Sequence, residues 1–413
     1  MKDDFGNGDG RVAAPAAPVV LALTIMVQAN AAFAALVLAA IAPEVSHALG
    51  VPTSFIGYQI SLVYGAAAVS SLFAGGLVPR FGACRSSQIS MVLVAAGCAL
   101  AAVPSLSTLM LASLVIGIGY GMTNPSASIL LLRVAPGHRR NLIFSIKQTG
   151  VPLGGVMAGL LAPTAALAYG WRAAPATAAA FALLIAVVLE TVRRSWDRDR
   201  EARTPAGENP FESLRLVWRI TPLRWLSNGC FCFAVTQLCL VGFLVTLLVE
   251  EVGFTLLEAG FLLSLTQVMG AAGRVLWGWV ADHFGDGLGV LTALGLVMAL
   301  GAGLTMMLGP AWPPGAVVLT FVVFGATAIG WNGVYTAEIA RLAPPGAVGV
   351  ATGGSLSVIF AGILIGPSVF AALFAGLGSY TAAFALPALV SLIGALSIVM
   401  ARRAAAGVGQ SSN

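Results

Sequence analysis

Charge is what this chain has least of. Only 9% of its 413 residues are charged against 58% hydrophobic, and mean hydropathy is +0.94. That balance excludes an ordinary water-soluble domain. No polar stretch between the apolar blocks is long enough to fold alone. The three histidines, His47, His138 and His283, are scattered over loops and give no metal cluster, so no enzyme is expected. A phosphate-binding P-loop is missing too; Gly117, Gly119 and Gly121 fall inside an apolar run and read as a surface for close helix packing. The five cysteines are odd in number, and Cys230 and Cys232 lack CxxC spacing. They read as small hydrophobes and not as a disulfide framework or redox pair. No cofactor is implied.

What fills the chain instead is apolar runs of spanning length. A helix needs roughly 20 mostly apolar residues to cross a bilayer. Runs between charge clusters and Pro/Gly punctuation give twelve: 18–43, 54–78, 86–104, 108–132, 142–168, 173–192, 224–249, 256–281, 288–308, 315–340, 346–376 and 380–401. The one long polar connection separates six from six. The chain therefore divides into a tail (1–17), a first six-helix half (18–192), a central loop (193–223), a second half (224–401) and a tail (402–413). The fold class expected is an all-α membrane protein. With the N-terminus inside, eighteen Lys and Arg side chains, from Lys2 and Arg11 to Arg402 and Arg403, face inward and only Arg172 faces outward. Both termini are accordingly expected in the cytoplasm, in a multi-pass protein of the inner membrane. This bias accounts for the net charge of +5 without a nucleic-acid partner; the lipid bilayer is the partner. Segment 211–220 has helical amphipathicity and is expected to lie along the inner surface.

Two stretches 208 positions apart read alike. Asn124 stands nine residues before Arg133-Val134-Ala135-Pro136, and Asn332 stands nine before Arg341-Leu342-Ala343-Pro344. At the same distance Gly154 answers Gly362 and Gly170 answers Gly378. Such a repeat in an apolar chain points to two homologous membrane halves, the architecture of many secondary transporters.

The loop after the second span reads Gly75-Gly76-Leu77-Val78-Pro79-Arg80-Phe81-Gly82; the loop after the eighth reads Gly278-Trp279-Val280-Ala281-Asp282-His283-Phe284-Gly285. Both resemble the G-x-x-x-D-R/K-x-G signature of the major facilitator superfamily, and with the repeat and central loop the likeness covers nearly the whole chain. The resemblance implies two pseudo-symmetric six-helix bundles, each of inverted three-helix repeats, rocking around a midplane cavity lined by spans 1, 4, 5, 7, 8, 10 and 11. In the motif itself, glycines permit a tight turn and close helix approach, and a carboxylate at a helix end can cap a helix or pair with arginine. Gly75, Arg80, Gly82 and Arg133 would serve the first half; Gly278, Asp282, Gly285, Glu338 and Arg341 the second. Pro79 and Leu130 stand where the second half has Asp282 and Glu338, so a one-sided inward latch is expected.

Charges inside spans cost about 2.5–3.5 kcal/mol each on insertion scales, which makes them functional suspects. Two cations qualify: Lys147 in span 5 and Arg274 in span 8, the latter roughly 12 Å above the inner loop at helical rise. No Asp or Glu occupies the middle of a span. Lys147 could simply snorkel to the surface, and Arg274 could brace helix-end carbonyls. As a pair without a neutralising acid they favour an anionic substrate. Gln28 and Asn30 (span 1), Tyr120 and Asn124 (span 4), Gln148 (span 5), Gln237 (span 7), Gln267 (span 8) and Trp331, Asn332 and Tyr335 (span 10) complete the candidate site. For each of these the competing reading is a helix-to-helix hydrogen bond.

Gly150, Pro152, Gly154 and Gly155 resemble the glycine-proline motif of antiporters in the superfamily and give a kinked helix with a smooth face. The run Gly273-Arg274-Val275-Leu276-Trp277-Gly278 resembles oxalate/formate and monocarboxylate carriers. Position 355, the repeat counterpart of Lys147, is however Ser355, which departs from the oxalate pattern of a lysine on span 11. The expectation is a monomeric secondary active transporter of a small organic anion, a carboxylate, with protons or a counter-anion as coupling partner. A drug/proton antiporter of the same superfamily is the alternative.

Overall fold

The computed structural model describes residues 16–134, 140–197, 210–344 and 347–410. Lys2 and Arg11 of the first tail, Arg139, and Arg198, Arg200 and Arg203 of the central loop lie outside the described residues. Of Gly75 and Pro79 only the backbone, within a helix, is described.

The described residues are helical with short connections: α1 (Ala17–Leu36), α2 (Ala42–Leu49), α3 (Phe55–Phe81), α4 (Ala83–Ala101), α5 (Leu106–Val134), α6 (Arg140–Gln148), α7 (Gly150–Tyr169), α8 (Ala173–Trp196) and α9 (Pro210–Arg219). The chain continues with α10 (Thr221–Leu247), α11 (Leu256–Phe284), α12 (Gly287–Thr305), α13 (Pro314–Ala328), α14 (Asn332–Leu342), α15 (Val348–Leu377), α16 (Tyr380–Ala383) and α17 (Ala385–Gln410). In hydrocarbon every backbone polar group must be satisfied within the protein, and the helix does this inside one segment. Eleven of the described stretches are long and apolar enough to cross a bilayer; α3, with 27 residues, is of spanning length as well. The two motif glycines act as helix terminators. Gly82 ends α3 at φ 95° and Gly285 ends α11 at φ 64°, a region where a side chain would be strained.

Four expected spans are interrupted. The first runs through a 3₁₀ turn at Ala39–Ile41 into α2, the fifth divides at Thr149, the tenth between Ala328 and Asn332, and the twelfth at Phe384. Hydropathy cannot register these breaks, because the residues at them are themselves apolar or small. Segment 211–220 does form a helix, α9, which packs on α15 with Val217 fully buried.

Among the first helices, α1 packs on α5, α7 and α8, α3 on α5, and α4 on α5 and α8. Among the last, α10 packs on α15 and α17, α12 on α13 and α17, and α11 on α13. The two sets meet through α7 against α11 and α3 against α15. Gly159 and Gly260 let α7 and α11 touch backbone to backbone, since a Cβ on either would strike the other's carbonyl. Two hydroxyl pairs cross the same boundary: Thr53 with Tyr380 at 2.6 Å and Ser61 with Ser368 at 2.8 Å. These contacts close the arginine-poor end of the molecule.

At the arginine-rich end, Glu338 is buried against Gly287 at the start of α12 and pairs with Arg341 at 2.6 Å. Asp286 caps α12 through the Gly289 N–H at 2.8 Å and meets Arg402 at 2.6 Å. Asp282 is exposed and joins no ion pair among the described residues. The first half does hold a carboxylate at this end, from a different element than the motif. Asp197, just past α8, accepts from the backbone N–H groups of Cys84 and Arg85, both at 2.8 Å, and so caps α4. Arg133 then donates to the Trp196 carbonyl at 2.7 Å, fixing the end of α8 that carries this aspartate. Losing one capping carboxylate costs about 0.5–2 kcal/mol. Asp197→Ala is therefore expected to lower the apparent Tm of the detergent-purified protein, with Asp197→Asn, which keeps one acceptor oxygen, in between.

Candidate functional site

Lys147 ends one short helix, α6, and its side chain turns inward between α1 and α5, only 3% exposed. Its Nζ donates to Gln28 Oε1 at 2.9 Å and to Asn124 Oδ1. An ammonium has no acceptor, so both amides must turn their oxygens toward it. Gln28 Oε1 also accepts from the Thr123 hydroxyl at 3.1 Å. The nitrogen of the same amide, Nε2, is buried near Tyr120 and has no hydrogen-bond partner at bonding geometry among the described residues. This leaves a desolvated donor beside a desolvated cation, with no carboxylate against either among the described residues.

Arg274 reaches this region from the other set of helices. Its Nη1 donates to the Gln148 carbonyl at 2.9 Å and its Nε to the Ile329 carbonyl at 3.1 Å. The first acceptor is free because Pro152, four residues on, has no N–H to give it. The second sits in the break between α13 and α14, and Asn332 Nδ2 shares it at 3.3 Å. Arg274 thus lies across the two helix breaks at the level of Lys147's helix, half-buried, with the Gln148 side chain exposed next to it. Two of its five N–H donors are engaged by these carbonyls. Tyr120 is buried near the amide of Gln28 and meets Tyr64 edge to face at 5.4 Å.

The glycines of span 5 make this approach possible. A Cβ on Gly150 would press on Gln28, one on Gly154 would strike the Ala29 carbonyl of α1, and one on Gly155 would overlap the Gln267 amide of α11. Gln267 is therefore a packing partner of Gly155. Asn30 points away from the cations, its Nδ2 near Met91 Sδ at 3.9 Å and its Oδ1 buried without a partner.

A second polar group gathers in the other half. Trp331 Nε1 donates to Gln237 Oε1 at 3.2 Å and to the Ala328 carbonyl at 3.1 Å. Tyr335 donates to Ser355 Oγ at 2.8 Å, and Ser355 meets Ser227 Oγ at 2.6 Å. The structure therefore brings Lys147, Gln28 and Asn124 together, sets Tyr120 near Gln28, and seats Arg274 on the carbonyl of Gln148, next to Lys147 in sequence, with Asn332 joined to Arg274 through Ile329. Trp331, Gln237 and Tyr335 form a separate neutral cluster. Asn124 and Asn332, matched in the repeat, do different work: one holds a cation, the other a carbonyl of its own helix break. Thr123, Tyr64, Ser227 and Ser355 take part without having been singled out as site residues. Thr123 lies next to Asn124 in sequence; nothing in the sequence marks Tyr64 or Ser227.

The site thus sets two cations on amide and carbonyl oxygens within a bundle of helices of membrane-spanning length. The family model for the Major Facilitator Superfamily matches residues 23–367, and the chain belongs to that superfamily. It is an integral multi-pass membrane protein, and the family and its relatives are transporters, not enzymes. An uncharacterized MFS-type transporter of Mycobacterium tuberculosis (strain CDC 1551 / Oshkosh) is 27% identical over 324 residues, 73% of this chain and 67% of that one. The 4-hydroxybenzoate transporter PcaK of Pseudomonas putida is 26% identical over 59% of this chain and 61% of its own length. The gentisate transporter of Corynebacterium glutamicum is 28% identical over 69% and 65%. A crystal structure of a POT family transporter in complex with 5-aminolevulinic acid shares the fold at a TM-score of 0.76, with 14% identity over 92% of this chain and 95% of that one.

If Gln28 is the acceptor that makes a buried Lys147 tolerable, Gln28→Leu should destabilise by about 1–3 kcal/mol, the cost of an unsatisfied buried polar group. The double variant Gln28→Leu/Lys147→Met should recover a substantial part of that loss in thermal denaturation, because cation and acceptor leave together. Equal loss in single and double variants would show that the two side chains are not coupled.

Proposed function

We propose that this chain is a secondary active transporter that carries small organic anions, aromatic carboxylates among them, across the inner membrane by alternating access. In this reading twelve spans form two six-helix bundles, 18–192 and 224–401, with both termini and the central loop in the cytoplasm. The observation that carries it is a pair of cations on neighbouring elements, Lys147 held by two amide oxygens and Arg274 seated on the carbonyl of the adjacent Gln148, with donors to spare and no carboxylate against either among the described residues. A carboxylate entering there meets two positive charges, the free Gln28 Nε2, the remaining guanidinium donors and the Tyr120 hydroxyl. The Tyr64–Tyr120 pair offers an aromatic ring an edge-to-face neighbour. That the relatives include transporters named for 4-hydroxybenzoate and gentisate supports an aromatic acid as cargo.

The energetics supply a reason for coupling. Two desolvated cations oppose closing of an empty cavity, and a bound anion neutralises part of that charge, so the loaded carrier closes more readily than the empty one. The closed arginine-poor end, sealed by Thr53–Tyr380 and Ser61–Ser368, supports an inward-facing state under the orientation proposed above.

The test is uptake of radiolabelled 4-hydroxybenzoate into proteoliposomes. Aromatic carboxylates should compete and tetraphenylphosphonium should not; the reverse pattern would replace the anion reading with a drug/proton antiporter. Arg274→Lys keeps the charge but loses the planar fork, and should weaken apparent affinity about 10–100-fold. Unchanged affinity in that variant would leave Arg274 as a brace for two helix breaks and remove it from the substrate site.

A further inference from the structure

A cavity of about 440 Å³ lies away from the two cations, at the arginine-poor end, between α2, α3, α5 and α15. That volume suits a small organic ligand. Val45, Ile56, Leu62, Leu109 and Leu364 give it an apolar wall, and none of its lining residues is charged. Gln59 of α3 also lines it. The side chain is 5% exposed, and neither Oε1 nor Nε2 has a hydrogen-bond partner among the described residues. Leaving a buried amide unpaired on both sides is costly, and buried polar groups are nearly always bonded. The serine and threonine hydroxyls around it are already engaged: Ser46 with the Val51 carbonyl, Thr53 with Tyr380, Ser61 with Ser368, Ser113 with the Leu109 carbonyl.

The repeat shows that packing does not require an amide here. At the spacing that separates Gly82 from Gly285, the counterpart of Gln59 is Leu262, a core residue at 1% exposure. We infer that Gln59 and this cavity form a second binding site, for a neutral and largely apolar molecule bearing one adjacent donor–acceptor pair, a carboxamide or an undissociated carboxylic acid. Such a group matches both faces of the glutamine amide at once, and the uncharged wall rejects an ionised ligand. Leu364 and Ser368 come from α15 and the rest of the lining from the first helices, so the occupant spans the boundary and holds this end shut.

Binding is tested on the full chain in nanodiscs, against empty nanodiscs, with biphenyl-4-carboxamide, the matched hydrocarbon 4-methylbiphenyl and the ionised biphenyl-4-carboxylate. The carboxamide should bind at least about ten-fold more tightly than either, from two hydrogen bonds in an apolar site. Gln59→Leu, which removes a buried amide without protein partners and so keeps the fold, should erase the preference and leave 4-methylbiphenyl unweakened. Leu109→Trp, which fills the cavity, should abolish binding of both neutral probes. Arg274→Lys should leave carboxamide binding unchanged. Equal affinity for carboxamide and hydrocarbon, indifference to Gln59→Leu or to Leu109→Trp, or a parallel loss in Arg274→Lys would each overturn the assignment.

Discussion

A guanidinium inside a membrane helix keeps its charge and must find oxygen acceptors that have been released from other duties. Arg274 has two such oxygens, and both exist because a helix is broken. Pro152 withholds an N–H from the Gln148 carbonyl, and the gap between α13 and α14 presents the Ile329 carbonyl. The arginine thereby joins α11 to a break in each set of helices. The glycines that let α7 approach α1 and α11 bring the Gln148 end of this arrangement within reach. The glycine-proline segment, whose likeness is to antiporters, has here a local physical use: it makes a free acceptor and a smooth surface at one place.

The same reasoning separates the halves chemically. Lys147 is tolerated because Gln28 and Asn124 commit their oxygens to it, leaving one amide nitrogen unspent. Its repeat counterpart, Ser355, needs no such help and closes a hydroxyl chain with Tyr335 and Ser227. At this pair of positions one therefore presents a charge and an unused donor, the other a satisfied neutral cluster. At the arginine-rich end the asymmetry is smaller than the motif suggests, since Asp197 supplies from α8 the helix-capping carboxylate that Pro79 does not.

The helical class, the spans as apolar blocks and the two buried cations were legible in the sequence. Length, hydropathy and the energetic cost of an intramembrane charge are properties of a segment taken alone. The glycines of the two loops were legible for the same reason, and Gly82 and Gly285 do terminate helices with positive φ. Less legible was how the polar residues would be sorted. Gln28 and Asn124 converge on Lys147, Asn30 turns toward Met91, and Gln267 fills the notch left by Gly155. An amide in an apolar run has the same sequence signature whichever way it faces.

Chain chemistry by itself determined that this protein lives in a bilayer as a bundle of helices, because hydrocarbon admits little else for a backbone so poor in charge. It also determined that two cations would be held inside that bundle. Which oxygens hold them was decided by the tertiary structure. Helix breaks at Thr149 and Gly330, and the crossing of α7 over α1 and α11, depend on which glycine meets which backbone across the interface. Such a meeting belongs to a pair of helices, and no single segment encodes it.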